Sequence, residues 1–145
     1  MWIERLTGSR TTHALELSAK FAEQRQRVLA ENLANVDTPD YHTQRLEPRA
    51  FQASLAAALA RARPGRSDPL ELRDNAQFAV GPGGALRVQP VREPAPNVLF
   101  HDGTNARLET LLTDVSENAL HYELATSLLR GKYESLLRAI RGRVT

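Results

Sequence analysis

The chain contains no cysteine, so disulfides and thiolate metal sites are both unavailable to it. Aromatic residues are scarce at 6%, and the apolar share of 41% lies a little under the average for soluble proteins. That balance suits a helical or elongated protein better than a compact enzyme. Nowhere do about eighteen apolar residues run together, which excludes a membrane-spanning helix. The opening residues, MWIERLTGSRTTHALEL, lack a continuous apolar segment and a small-residue cleavage site, so no secretory signal is expected there. Any export from the cytoplasm must read another feature. Charge of one sign is also missing. Nineteen basic residues face 17 acidic ones for a formal net charge of +2, too even a balance for strong long-range attraction to nucleic acid. With 145 residues, the chain is long enough for one ordinary domain.

Catalytic patterns are absent too. His13, His42, His101 and His121 are scattered and form no ligand spacing such as HExxH. The Gly-rich run GPGGAL, at 81–86, has no P-loop lysine and reads as a turn. Ser116 and Ser127 sit in a helical pattern with no nucleophile elbow. No catalytic residue, cofactor or metal ligand is expected.

What is present is periodicity. From Asn105 to Gly142 a seven-residue ruler puts Leu108, Val115, Tyr122, Leu129 and Leu136 in one register. The register three residues on holds Leu111, Asn118, Ala125, Lys132 and Ala139, and the next holds Leu112, Ala119, Thr126, Tyr133 and Ile140. Such spacing predicts a long amphipathic helix over 105–142 with coiled-coil character, weakened only by Gly131. A helix of that length needs a partner along it. Asn118 and Lys132, at inward heptad positions, are expected to fix register and partner choice. Acidic Glu109, Asp114, Glu117 and Glu123 precede basic Arg130, Lys132, Arg138, Arg141 and Arg143, an order that complements the helix dipole.

Residues 1–10 hold Trp2, Ile3 and Leu6 in an otherwise polar lead-in, which reads as a frayed terminus with one aromatic anchor in preference to a short recognition segment. A second helix is predicted over 11–36, with Ala14, Leu17, Phe21, Val28, Leu29 and Leu33 on one face and Arg25 and Asn32 inside it. It ends at VDTPDY, where Pro39 pushes Thr38 out of the helical region. Residues 37–104 differ in composition, holding all eight prolines and five of eight glycines. They read as an irregular middle with a short helix near 50–63, its apolar face Phe51, Leu55 and Leu59. Beyond it lie a weak hairpin around the Gly-Pro-Gly-Gly turn and an extended segment through VREPAPNVLFHDGTN, much of the middle awaiting a partner before it orders. The fold expected is all-α: a single domain over 1–145, built as an elongated antiparallel coiled-coil hairpin of N- and C-terminal helices with an irregular, partly disordered Pro/Gly-rich middle.

Two stretches make the layout specific. RQRVLAENLANVDTPDYHTQRLEPRAF, from Arg25 to Phe51, resembles the signature of the flagellar rod/hook protein family, a helix ending in Asn-x-x-Asn followed by Thr-Pro-Gly-Tyr. Asn32, Asn35, Asp37, Thr38, Pro39 and Tyr41 match, and Asp40 stands where that family has Gly. The second, from Asp102 to Ile140, resembles the C-terminal region of proximal rod subunits through Asp102, Gly103, Asn105 and the block Glu117, Asn118, Ala119, Leu120 and Tyr122. Thr104 intrudes there, and Ala106-Arg107 replaces the usual Val-Asp. RDNAQFAV, at 73–80, echoes the middle of the family.

The resemblance implies a structural subunit of the flagellar basal body, exported through the flagellar export apparatus without a cleaved signal peptide and stacked helically in the periplasmic rod. Other flagellar rod proteins and the rod-base adaptor protein are the implied partners. Assembly residues are expected at Asn32, Asn35, Thr38, Pro39 and Tyr41 in the turn, and at Leu108, Val115, Asn118, Tyr122, Leu129 and Leu136 on the long helix. The three asparagines are expected to satisfy each other or neighbouring backbone across subunits. A second proximal rod subunit, or a cytoplasmic coiled-coil adaptor or chaperone, would also account for the heptads; only the rod group accounts for TPDY and the ENALHY block.

Overall fold

The computed structural model describes residues 10–62, 70–73, 75–81, 85–93 and 108–142. Among them are three helices, α1 (Arg10–Ala34), α2 (Pro48–Arg61) and α3 (Leu108–Arg141). Four short strands complete the element order: β1 (Gln44–Arg45), β2 (Phe78–Val80), β3 (Leu86–Val88) and β4 (Val91–Arg92). The strands form two antiparallel pairs. In β2–β3 Phe78 faces Val88, and in β1–β4 Gln44 faces Arg92. The protein is therefore mostly helical with a few short strands, in keeping with the all-α expectation.

The N-terminal helix stops at Ala34, two residues short of the expected end, because the Asn35–Tyr41 turn draws its donors back. The Thr38 amide donates to the Asn35 carbonyl and the Tyr41 amide to the Thr38 carbonyl. Asp40 sits at φ 59°, the left-handed conformation that glycine adopts freely and aspartate tolerates. Asp at the usual Gly position thus meets the same backbone demand. Helix α2 starts earlier than expected. Pro48 occupies its first turn, where a missing amide costs nothing, and the Glu47 carboxylate caps the Arg49 amide.

The core lies between α1, α2 and the β2–β3 hairpin. Phe21 and Phe51 stack with ring centroids 4.2 Å apart, and Phe78 meets both edge-on. Leu17, Leu46, Leu70 and Leu72 seal the cluster. Much of the supposedly disordered middle is thus part of the core. Its apolar stretches are too short to show a period, but Leu46, Leu70, Leu72 and Phe78 bury by landing on one face of α1. The expected α2 face is also adjusted: Phe51 and Ala58 are buried and Leu55 packs against them, whereas Leu59 is exposed. His13 ties the middle down, its Nδ1 accepting the Leu70 amide at 2.8 Å. The residues Trp2, Ile3 and Leu6, and most of the extended segment before α3, lie outside the described residues.

Candidate assembly surface

Asn32 is 1% exposed and acts as a latch within the chain. Its Oδ1 accepts from the Tyr41 hydroxyl and from the Gln44 amide, both at 2.9 Å, and its Nδ2 donates to the Gln44 carbonyl at 2.7 Å. The chain is thereby clamped back onto α1 after the turn, which delivers β1 and Leu46 to the core. Burial, and secondarily the Glu31 carboxylate, push the Tyr41 phenol above its ordinary pKa. Half-buried Asn35 donates from its side chain to the Glu31 carbonyl at 2.8 Å. Thr38 and Pro39 are exposed at the tip.

Helices α1 and α3 lie side by side and antiparallel. Arg25 meets Asp114 at 2.7 Å, Asn118 reaches the Ala22 carbonyl at 2.9 Å and the Gln26 side chain at 2.8 Å, and the Tyr133 hydroxyl donates to Glu16 at 2.9 Å. That last bond is the main reason the Tyr133 phenol titrates above its ordinary range, with burial and the Glu16 charge adding to it. The seam on α3 is Leu111, Asn118 and Ala125, one residue every seventh, which are its only buried side chains. Asn32 and Asn118 therefore each find partners within the chain, and these do not include one another. An amide in a helical seam is stable when both of its neighbours are acceptors, as here.

Around that seam α3 is bare. Leu108, Leu112, Tyr122, Tyr133, Leu137 and Ile140 are between 41% and 52% exposed on one flank, and Leu120, Leu124 and Leu128 between 51% and 65% on the other. Val115, Leu129 and Leu136 are half-buried at the margins of the seam. Lys132 and Ala139 share the seam's register yet are exposed. Of the expected assembly residues, the structure thus gathers Asn32, Asn35 and Tyr41 at the turn and puts Leu108 and Tyr122 in the open. Sequence reasoning missed the Leu120–Leu124–Leu128 ridge, although spacing by four residues had signalled a helical stripe.

A groove of about 560 Å³ between α1, β1 and the first turns of α3 holds both charge signs. Its groups neutralise one another: besides the Arg25–Asp114 pair, Arg45 lies 2.8 Å from Glu47 and 3.7 Å from Glu93. Among the described residues no three His, Asp or Glu side chains cluster as a metal site would need, and no helix is long and apolar enough to cross a membrane.

No protein-family model matches the chain. Curated relatives do. It is 24% identical over 126 residues to the flagellar basal body rod protein FlgB of Salmonella typhimurium, covering 82% of this chain and 84% of that protein. It is 27% identical over 113 residues to FlgB of Borrelia hermsii, covering 77% and 82%, and 23% identical over 137 residues to FlgB of Bacillus subtilis, covering 92% and 95%. A helical protein with an internally satisfied latch, a bare long helix and these relatives is a structural protein, not an enzyme. Its homologues are the flagellar basal-body rod proteins named FlgB.

Proposed function

We propose that this protein is a structural subunit of the flagellar basal-body rod that assembles through α3. The observation carrying this reading is the exposure of nine large apolar side chains along one helix of 34 residues, in a chain similar to rod proteins over most of its length. Apolar surface of that extent in water is stabilised when a neighbour covers it, at about 25 cal/mol per Å² before ordering costs. Helices α1 and α3 act as an antiparallel coiled-coil hairpin, a single rod-type domain whose seam is closed within the chain and whose flanks serve neighbours. The turn carrying Thr38 and Pro39 projects from one end of this hairpin, available to a different neighbour.

The finer assignments follow from the same resemblance. The subunit belongs to the proximal rod in the periplasm, reaches it through the flagellar export apparatus without a cleaved signal peptide, and contacts other rod proteins and the rod-base adaptor protein in a helical array. A clean deletion in the source bacterium, scored for basal-body structure and swimming, tests the reading. Loss of everything beyond the membrane base, restored by the intact gene, is the expected result; normal flagella without the gene would refute it.

A further inference from the structure

Helix α3 carries two bare stripes, not one, and they point nearly opposite ways. At roughly 100° per residue, the flank of Leu112, Tyr133, Leu137 and Ile140 lies about 160° around the helix from Leu120, Leu124 and Leu128. The α1 seam lies between them on one side: a groove with Tyr122 and Ala119 opens along one edge of α1, and a second groove, with Leu124 and Leu128, opens along the other. A single self-complementary patch closes a twofold dimer, whereas two different patches facing apart make a head-to-tail contact that repeats.

Resting on the rod-subunit reading above, we infer that α3 of one copy docks by its Tyr133, Leu137 and Ile140 flank onto the Leu120, Leu124 and Leu128 ridge of a parallel second copy, shifted by about thirteen residues, roughly 20 Å along the helix. Two independent patterns agree on that stagger. The apolar spacing matches, with Tyr133 falling beside Leu120 and Leu137 beside Leu124. The charges match as well: the same shift puts Arg130 beside Glu117. Unshifted parallel helices would set the acidic half of α3 against another acidic half. The receiving side is also shaped for the contact, because Leu124 and Leu128 border an open groove of about 290 Å³ whose other walls include Leu15, Phe21, Pro48 and Phe51. The donating side is open, with Leu137 52% and Ile140 48% exposed.

The absence of native cysteine makes the test direct. A chain carrying Leu124→Cys and Leu137→Cys, supplied as the sole copy and oxidised mildly, is expected to form a ladder of cross-linked multimers in isolated basal bodies. Mixing the two single variants in solution is expected to give dimers at least fivefold above either alone. Dimers formed equally well by Leu124→Cys alone would show a twofold contact and overturn the inference. Should the leucine pair impair assembly, the exposed pair Glu117→Cys and Arg130→Cys reads the same stagger. Arg130→Glu is expected to lower solution cross-linking between the Leu124→Cys and Leu137→Cys chains about threefold, and adding Glu117→Arg to restore it, the size of an exposed ion pair. Assembled rods without a ladder from either cysteine pair would sink this contact while leaving the rod-subunit reading intact; normal flagella in the deletion strain would sink the reading itself.

Discussion

Around Phe21, Phe51 and Phe78 the apolar side chains are sealed from water, whereas along α3 they mostly face it, although both regions lean on the same helix α1. Every member of the buried apolar cluster comes from α1, α2 or the segments between α2 and β3, and from the return strand after the turn; none comes from α3. Beside buried Leu111 and Ala125, directional polar contacts fasten α3 to the body: Arg25 to Asp114, Asn118 to Ala22 and Gln26, Tyr133 to Glu16. The difference separates two tasks. A phenylalanine cluster gives the chain a folded identity before assembly. A helix held by a few directional bonds keeps its apolar flanks for neighbours and fixes which flank each neighbour meets.

The sharpest way to break this contrast is one truncation in each region. Phe51→Ala removes a stacked and an edge-on ring contact from a side chain 3% exposed, and is expected to cost about 3–5 kcal/mol in urea unfolding. Leu124→Ala, at 60% exposure, is expected to leave monomer stability within about 0.5 kcal/mol while impairing motility. A comparable stability loss from both would mean that α3 belongs to the core after all.

A smaller effect tests the fastening. Asp114→Ala leaves the Arg25 guanidinium, 10% exposed, without its carboxylate. Because Asp114 itself is 36% exposed, the loss is expected at about 1–3 kcal/mol, below that of a fully buried pair. It should come with faster amide exchange in the first half of α3 and little change near Phe78.

How legible each region was follows the same division. The faces of α1 and α3 were visible because a heptad or a 3.6-residue period repeats over many turns, and Asn118 stood out as an amide inside such a seam. The latch was recognisable from Asn32, Tyr41 and the Thr-Pro pair, but not what it holds, since Asn32 bonds to main chain at Gln44 and no pattern marks a backbone partner. The hairpin core escaped for a different reason. Phe78 and Val80 alternate over only three residues, too few for a period, and Asn75 starts the strand through its side chain, accepting from the Gln77 and Phe78 amides. Long-range burial decided those residues, and burial is a property of the whole chain.

The weakest effect compares the two tyrosines, one in the latch and one on α3. Both phenols titrate above their ordinary value of 10.0, Tyr41 chiefly through burial and Tyr133 chiefly through its bond to Glu16. A raised folded-state value means that each phenol's contribution is complete below pH 10.0 and is lost as pH rises through the raised value. Above that point ionised Tyr41 can no longer donate to Asn32, and its charge faces Glu31. Ionised Tyr133 likewise confronts Glu16, but at 41% exposure water screens the repulsion. Urea midpoints measured between about pH 8 and 11 are therefore expected to fall at the alkaline end. Tyr41→Phe should flatten that fall visibly, from a lower starting stability. Tyr133→Phe should change it little, because the bond it removes joins two side chains already in water. If Tyr133→Phe proved the stronger of the two, the Tyr133–Glu16 bond would be a principal fastening of α3, and the flank assigned to a neighbour would be occupied by the chain itself.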